Sequence, residues 1–455
     1  NHIEELSTSK KEPSWLKEYR KNSLSIYQEM PIEVSPLYSK YTDVNKMDPK
    51  QVSLSLRTDT AIPEFLNRRL SELKNTNCIF QIGSNITSVN HSDELKSQGV
   101  VLSSIDDALN NHNELVKKAL EASNSKEDKF TALNNAAFNS GMFVYIPKNL
   151  ILEDPIYLLS CLSVDGISTI TRNIIVAEES SKATIVQELY APHSSKQQAY
   201  LELLNTHVGA NSQLDITTLQ MMEQSAVNFS TRRTDVAQDG KINWYLGLFG
   251  SLLSRYRIDY YLNGTGAYVN DSEVIFGNNE QSFDLQINLI HQSPNTEGRV
   301  NEKSILKNKS KSLFKGMIRI KENASKSQSF LSGRSILLDK DAKSDAIPGL
   351  EISTNDVKAT HSASVAQIDE EQIFYLNTRS LSHSEAERVI VEGFLEPLSR
   401  KMSYQVRAWI AYLVESKWSG RELTINTDKE LRKFVEVEET RYNEEADIEQ
   451  HYKYR

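Results

Sequence analysis

The sequence predicts a mainly-β protein whose long strand-rich middle is flanked by helical segments, and three observations carry that prediction. From about Gly141 to Ser353 the chain is a succession of short β-branched runs. Turn residues separate the runs, among them Gly209, Asn211, Asp239, Gly240, Asn263, Gly264, Gly277, Asn279 and Asn323. No amphipathic stretch of about a dozen residues interrupts them. Roughly 200 residues of strand without crossover helices exclude a doubly wound sheet and leave a sandwich pair, a propeller or a β-helix. No repeat of blade length is visible, which weighs against a propeller. Asn, Ser and small residues at the corners suit coils that stack strand on strand.

The elements follow in order. Pro13 and Ser14 open a loosely amphipathic helix through Trp15, Tyr19 and Tyr27, ending near Met30. Thr60 is placed to cap a helix carrying Phe65, Leu66, Leu70 and Leu73, and Cys78–Ile82 reads as a short strand. Another helix opens near Ser104 and carries Leu109, Leu115, Val116 and Leu120 at helical spacing. The strand series then runs from residue 143 to residue 353. Ser382 and Glu385 have the spacing of a capping box, followed by an apolar face of Ala386, Val389, Ile390, Phe394 and Leu398, with Pro397 expected to end or kink the helix. Met402, Val406, Trp409, Ile410, Leu413 and Val414 mark a second helix that stops at Ser419 and Gly420. The Glu-rich tail from Glu430 to Arg455 reads as a solvated or partly ordered helix. These changes of period divide the chain into residues 1–138, 139–372 and 373–455.

Composition narrows the function. With 52 Lys and Arg against 61 Asp and Glu the net charge is −9, so nothing draws the chain as a whole to nucleic acid or an anionic membrane. The densest apolar stretches are too short to span a bilayer. The opening residues lack the basic and apolar regions of a secretory signal, and a cytoplasmic location is expected. Two cysteines, Cys78 and Cys161, exclude a disulfide framework and a zinc cluster, and are too few for a permanently held iron–sulfur cluster. Both read as small buried hydrophobes. There is no phosphate loop, no GxGxxG, no HExxH and no GxSxG, so ATP hydrolysis and the common catalytic frameworks are not expected. The lysines between 303 and 326 read as outward-facing strand residues that discourage edge pairing. His291 is read as lining an interface or as part of a loop.

Several segments resemble one known family. Residues 133–147 (LNNAAFNSGMFVYIP) with 154–156 (DPI), 296–299 (TEGR), 313–317 (LFKGM), 348–367 (PGLEISTNDVKATHSASVAQ), 371–375 (EQIFY) and 392–397 (EGFLEP) occur in the order found in the SufB/SufD family of iron–sulfur cluster assembly scaffold proteins. Residues 13–16 (PSWL) and 113–117 (NELVK) add weaker matches. The resemblance implies a right-handed parallel β-helix core between N-terminal and C-terminal helical domains. It implies a non-catalytic scaffold that docks a SufC-type ATPase on the C-terminal helices and pairs through its β-helix with a SufB-type subunit or with itself. A transient cluster, or iron, would be shared at that interface.

The resemblance favours the SufD-like member. No cysteine follows Cys161, whereas SufB-like chains carry one late in the β-helix. SufD-like chains carry a DDVKC[ST]HG pattern, and this chain reads NDVKATHS over residues 355–362. It keeps Asp356, Lys358 and His361 but departs at Asn355, Ala359 and Ser362, so no thiol stands beside the histidine. By resemblance His361 becomes the candidate iron or cluster ligand and Asp356 and Lys358 candidate interface residues. Glu385, Val389, Glu392 and Phe394 become candidates for docking the ATPase. From the residues alone His361 reads first as a hydrogen-bonded structural histidine, and only the resemblance brings the functional reading level with it. The alternative function is a carbohydrate-active β-helix enzyme, a polysaccharide lyase or hydrolase, which needs clustered carboxylates or a calcium site on one face. The C-terminal helices and the expected location count against it.

Overall fold

Strand Ser282–His291 shows how the middle of the chain folds. Phe283, Leu285, Ile287 and Leu289 alternate with Asp284, Gln286 and Asn288, so one face is apolar and the other polar. The strand pairs in parallel with Leu253–Leu262 on one side and Lys311–Ile320 on the other, residue against residue. In-register parallel pairing stacks like on like, and Tyr256, Leu285 and Phe314 make one buried column.

In the computed structural model, which describes residues 2–48, 50–56 and 58–452, this pattern repeats as a parallel β-solenoid of about eight turns. From Met142–Ile146 onward successive strands alternate between a ten-stranded and a nine-stranded sheet, and the apolar faces of both fill the space between them. The corners use the left-handed conformation that Asn and Asp tolerate best, at Asn211, Asp239, Asn279, Asn295 and Asn308. These include turn residues legible in the sequence.

The two ends of the solenoid differ. The first coil is closed by two antiparallel pairings, Cys78–Ile82 with Asn85–Asn90 and Val101–Ser104 with Met142–Ile146. The N-terminal helices Ser14–Glu29 and Lys129–Ala137 pack beside it. The last coil, Lys343–Ile352 and Lys358–Gln367, ends both sheets, and among the described residues no strand lies beyond it.

Several local expectations shift. Thr60 caps nothing; a 3-10 turn Glu64–Leu66 leads from Pro63 into Asn67–Glu72. The helix from Ser104 is two helices, Ile105–Asn111 and Asn113–Ala122, broken at His112. Pro397 lies within the helix His383–Ser399 rather than ending it. The Glu-rich tail forms the helix Lys429–Tyr452; residues 453–455 of that expectation lie outside the described residues. Between Met30 and Ile62 the described residues form no helix or strand beyond an isolated bridge at Leu54, and they run as a strap over the solenoid.

The C-terminal helices pack against the side of the solenoid. Val391, Leu395, Ile410 and Leu413 share one cluster with Leu219, Phe249, Phe276 and Ile305. Lys417 donates to the Phe249 carbonyl and to Gln281 Oε1, both at 2.5 Å, and its burial lowers its pKa to about 7. Lys303 reaches the Phe394 carbonyl from the opposite direction. Thus Lys303, and Lys315 with it, are buried rather than outward-facing: one pins a helix and the other lies in an ion cluster with Asp284 at 2.7 Å. Among the described residues no helix is long and apolar enough to cross a membrane.

Candidate functional site

The open end is the first candidate. Strand Lys358–Gln367 is built of small and polar residues, and its burial pattern is the reverse of the strands beneath it. His361 stands in register with the fully buried Leu331, so it occupies an inward-facing column at the point where no further coil covers it. Ala359, two residues earlier, still touches the main core, whereas His361 and Val365 are exposed. Ser362 faces the other way and donates to Ser332 Oγ at 3.0 Å. Asp356 lies at the corner before the strand and its carbonyl accepts the Lys326 N–H at 2.5 Å. Lys358 begins the strand, its N–H bonded to the Ser327 carbonyl. The three pattern residues therefore gather on one exposed corner and strand.

Lys358 N–H and Ile368 N–H both donate to the neighbouring strand. In a parallel ladder successive residues point their N–H and C=O groups to alternate sides. The amides of Ala359, His361, Ala363 and Val365 accordingly face outward, and among the described residues no strand meets them. Beside them Leu350, Ile352 and Val365 are 41%, 42% and 43% exposed.

The second candidate is the helix His383–Ser399. Glu385 completes the capping box: its carboxylate accepts from the Ser382 N–H and hydroxyl, both at 2.7 Å. The Ser382 hydroxyl and N–H hold its pKa below the usual carboxylate value. Val389 is not on the core face that the sequence suggested; it is 45% exposed, and Val391 and Leu395 are buried instead. Phe394 is half-buried under the Lys303 ammonium, 4.8 Å from its ring centre. Val389, Glu392 and Gly393 line a groove of about 950 Å³ closed by Val414 and by Phe434 and Val437 of the last helix. Nearby, on Glu370–Asn377, Phe374 is 70% and Tyr375 56% exposed. Sequence reasoning did not single these aromatics out; the helix buries only Ile373 and leaves both aromatics in solvent.

The remaining candidates are structural. His291 is buried, bonded to Thr296 Oγ1 and Ser329 Oγ, and its pKa is lowered to about 4 by desolvation. Burial pushes the Cys78 thiol up to about 12 and raises that of Cys161 as well. Both lie by the first coils, where they pack as apolar groups. Among the described residues no three His, Cys, Asp or Glu side chains form a set that could hold a metal ion.

Comparison with known proteins agrees over nearly the whole chain. A family described as "SUF system FeS cluster assembly, SufBD core domain" matches residues 161–394, and one described as "SufBD protein N-terminal region" matches residues 4–158. Curated relatives named "Iron-sulfur cluster assembly SufBD family protein" occur in Staphylococcus aureus strain USA300 and in Staphylococcus saprophyticus. They are 27% identical over 434 and 436 residues, covering 92% of this chain and 93% of each relative.

Proposed function

The chain belongs to the SufB/SufD family of iron–sulfur cluster assembly proteins, and on that premise we propose that it is a SufD-like, non-catalytic scaffold subunit. It pairs through the open end of its solenoid with a SufB-type subunit and carries a SufC-type ATPase on its C-terminal helices. The observation that carries this reading is the uncovered last coil: two strand edges with outward-facing amides and apolar side chains left in water. A second solenoid in register would satisfy both, as strand addition does elsewhere.

At that joint His361 would present an imidazole to iron or to a nascent cluster, the cargo of the complex. A neutral imidazole suits iron, and the thiolates would come from the partner because both cysteines here are distant and buried. On the C-terminal side Val389 and Glu392 in the groove are the residues best placed to meet the ATPase. Glu385 acts through the cap that starts their helix, and Phe394 through its packing against Lys303.

The carbohydrate-active alternative is not favoured. The acids that cluster in the solenoid, Asp271, Glu273 and Glu302, lie inside it and are at most 2% exposed, where no polysaccharide reaches.

Co-expression with the SufB-type and SufC-type chains of the same genome tests the proposal. Ala363→Pro removes one outward amide and spares the ladder to the strand below, so it should abolish pairing while the melting temperature stays unchanged. Val389→Asp should release the ATPase alone. Pairing that survives Ala363→Pro at wild-type strength would refute the open-end reading.

A further inference from the structure

Resting on the open-end pairing just proposed, we infer that the strap loop 33–42 is a preformed shoulder of that interface. A SufB-type solenoid seated on the last coil would touch it through Leu37 and Tyr41.

The loop holds its own shape. Glu33 accepts the Ser35 N–H at 3.0 Å through one oxygen and the Thr42 hydroxyl at 3.1 Å through the other, closing the loop at both ends. Within it, the Tyr38 and Ser39 amides bond the Ser35 carbonyl, and the Tyr41 and Thr42 amides bond the Tyr38 carbonyl. Buried charge fastens it down. Lys315 reaches Thr42 Oγ1 at 3.0 Å, Asp284 at 2.7 Å and Glu33 at 3.6 Å, and it lies over the Tyr38 ring. Arg255, paired with Asp128 at 3.1 Å, stands 3.8 Å from Glu33 on the other side. Tyr38 is 2% exposed.

This anchorage places the loop beside the open edge. Lys315 is in register with Ile347 of the terminal strand, one strand spacing of about 4.8 Å away. Arg319, whose charge bears on the Tyr38 phenol, bonds Glu351 of that same strand at 3.0 Å. A strand added to the edge would therefore lie about 10 Å from Lys315, with its outer face alongside the loop.

The loop also carries more apolar surface than its fold uses. Leu37 and Tyr41 are each 47% exposed, and Ile32 and Val34 are 41% and 42% exposed. One exposed apolar side chain needs no explanation, but four within ten residues, three of them on a loop fixed by buried ion pairs near the terminal strand, are apolar surface that the fold leaves uncovered. Because the loop is already ordered, contact with it costs little conformational entropy. A solenoid is the occupant that fits, since it alone would follow the sheet from the edge across to the loop.

The test is the dissociation constant of the co-expressed SufB-type pair. Leu37→Asp combined with Tyr41→Asp should weaken pairing at least tenfold with an unchanged melting temperature, and trypsin cleavage after Lys40 should slow when the wild-type pair forms. Glu33→Gln should speed that cleavage in the free chain. Wild-type affinity for the double variant, with pairing still lost in Ala363→Pro, would overturn the shoulder and leave the open-end reading standing. Undiminished pairing of Ala363→Pro would overturn both. Self-pairing of the chain alone, weakened by the double variant, would overturn the choice of a SufB-type occupant.

Discussion

Strands Ser282–His291 and Lys358–Gln367 are the same length and belong to the same solenoid, yet nine residues of the first are buried and eight of the second are exposed. The first is sandwiched between two parallel neighbours; the second has one. Its side chains match that situation: Ala366 stands over Ile336 and Ile305, while Ala359 and Ala363 stand over the small residues Ser329 and Gly333, so the last coil offers little core of its own. A mid-solenoid strand derives its stability from the coils on both sides, whereas the terminal one is held only from below.

The largest expected contrast comes from removing apolar bulk at the two places. Phe283→Ala, 2% exposed, should cost roughly 3–5 kcal/mol of unfolding free energy, while Val365→Ala should cost under about 1 kcal/mol in the free chain. Urea titration checks both. Equal losses would mean that the last coil is as deeply integrated as the middle.

Charge should behave likewise. Arg232 and Glu202 are fully buried inside the solenoid at 3.1 Å, joined by Gln187, Thr218 and Ser230. Arg232→Met leaves a buried carboxylate unpaired and should cost roughly 3–5 kcal/mol. Arg319→Met breaks the exposed pair to Glu351 and should cost no more than about 1 kcal/mol.

The interior acids give the middle coils a pH dependence of their own. Burial raises Asp271 to about 7 and Glu302 to about 8, and holds Glu273 well above its ordinary value. Glu273 and Glu302 stack in register, and Tyr260 donates to Asp271 at 2.8 Å. Folded pKa values above the unfolded ones mean that the native state binds more protons. The stability contribution is therefore full below about pH 4 and is lost as pH rises toward 7–8. Glu302→Gln removes one such group. Its stability relative to wild type should climb between pH 5 and pH 8, by at most about 1.4 kcal/mol per pH unit. A difference independent of pH would show that Glu302 is ionised throughout.

The smallest effect on the fold is expected at the proposed cluster ligand. His361→Ala should change stability by under about 0.5 kcal/mol and leave pairing intact, since nothing packs over the side chain. Cluster yield in the reconstituted complex should fall sharply. A variant that pairs and builds clusters like wild type would remove His361 from the mechanism.

What the sequence determined by itself was local and periodic. Short β-branched runs marked the strands, Asn, Asp and Gly marked the corners, and Ser382 with Glu385 marked a helix start that the structure reproduces. Ordered short motifs, read together, were enough to point to the family. What only the tertiary structure decided depends on which neighbours a residue receives. Val389 and Val391 are the same residue two positions apart on one helix, and the fold buries one and exposes the other because it presents only one face to the solenoid. Lys303 and Lys315 look like solvated strand lysines until a helix and a strap are laid over them. The open end is the clearest case. Small and polar residues mark Lys358–Gln367 as weakly buried but not as the last strand, since being last means that no later described segment returns to pair with it, a property of the chain path.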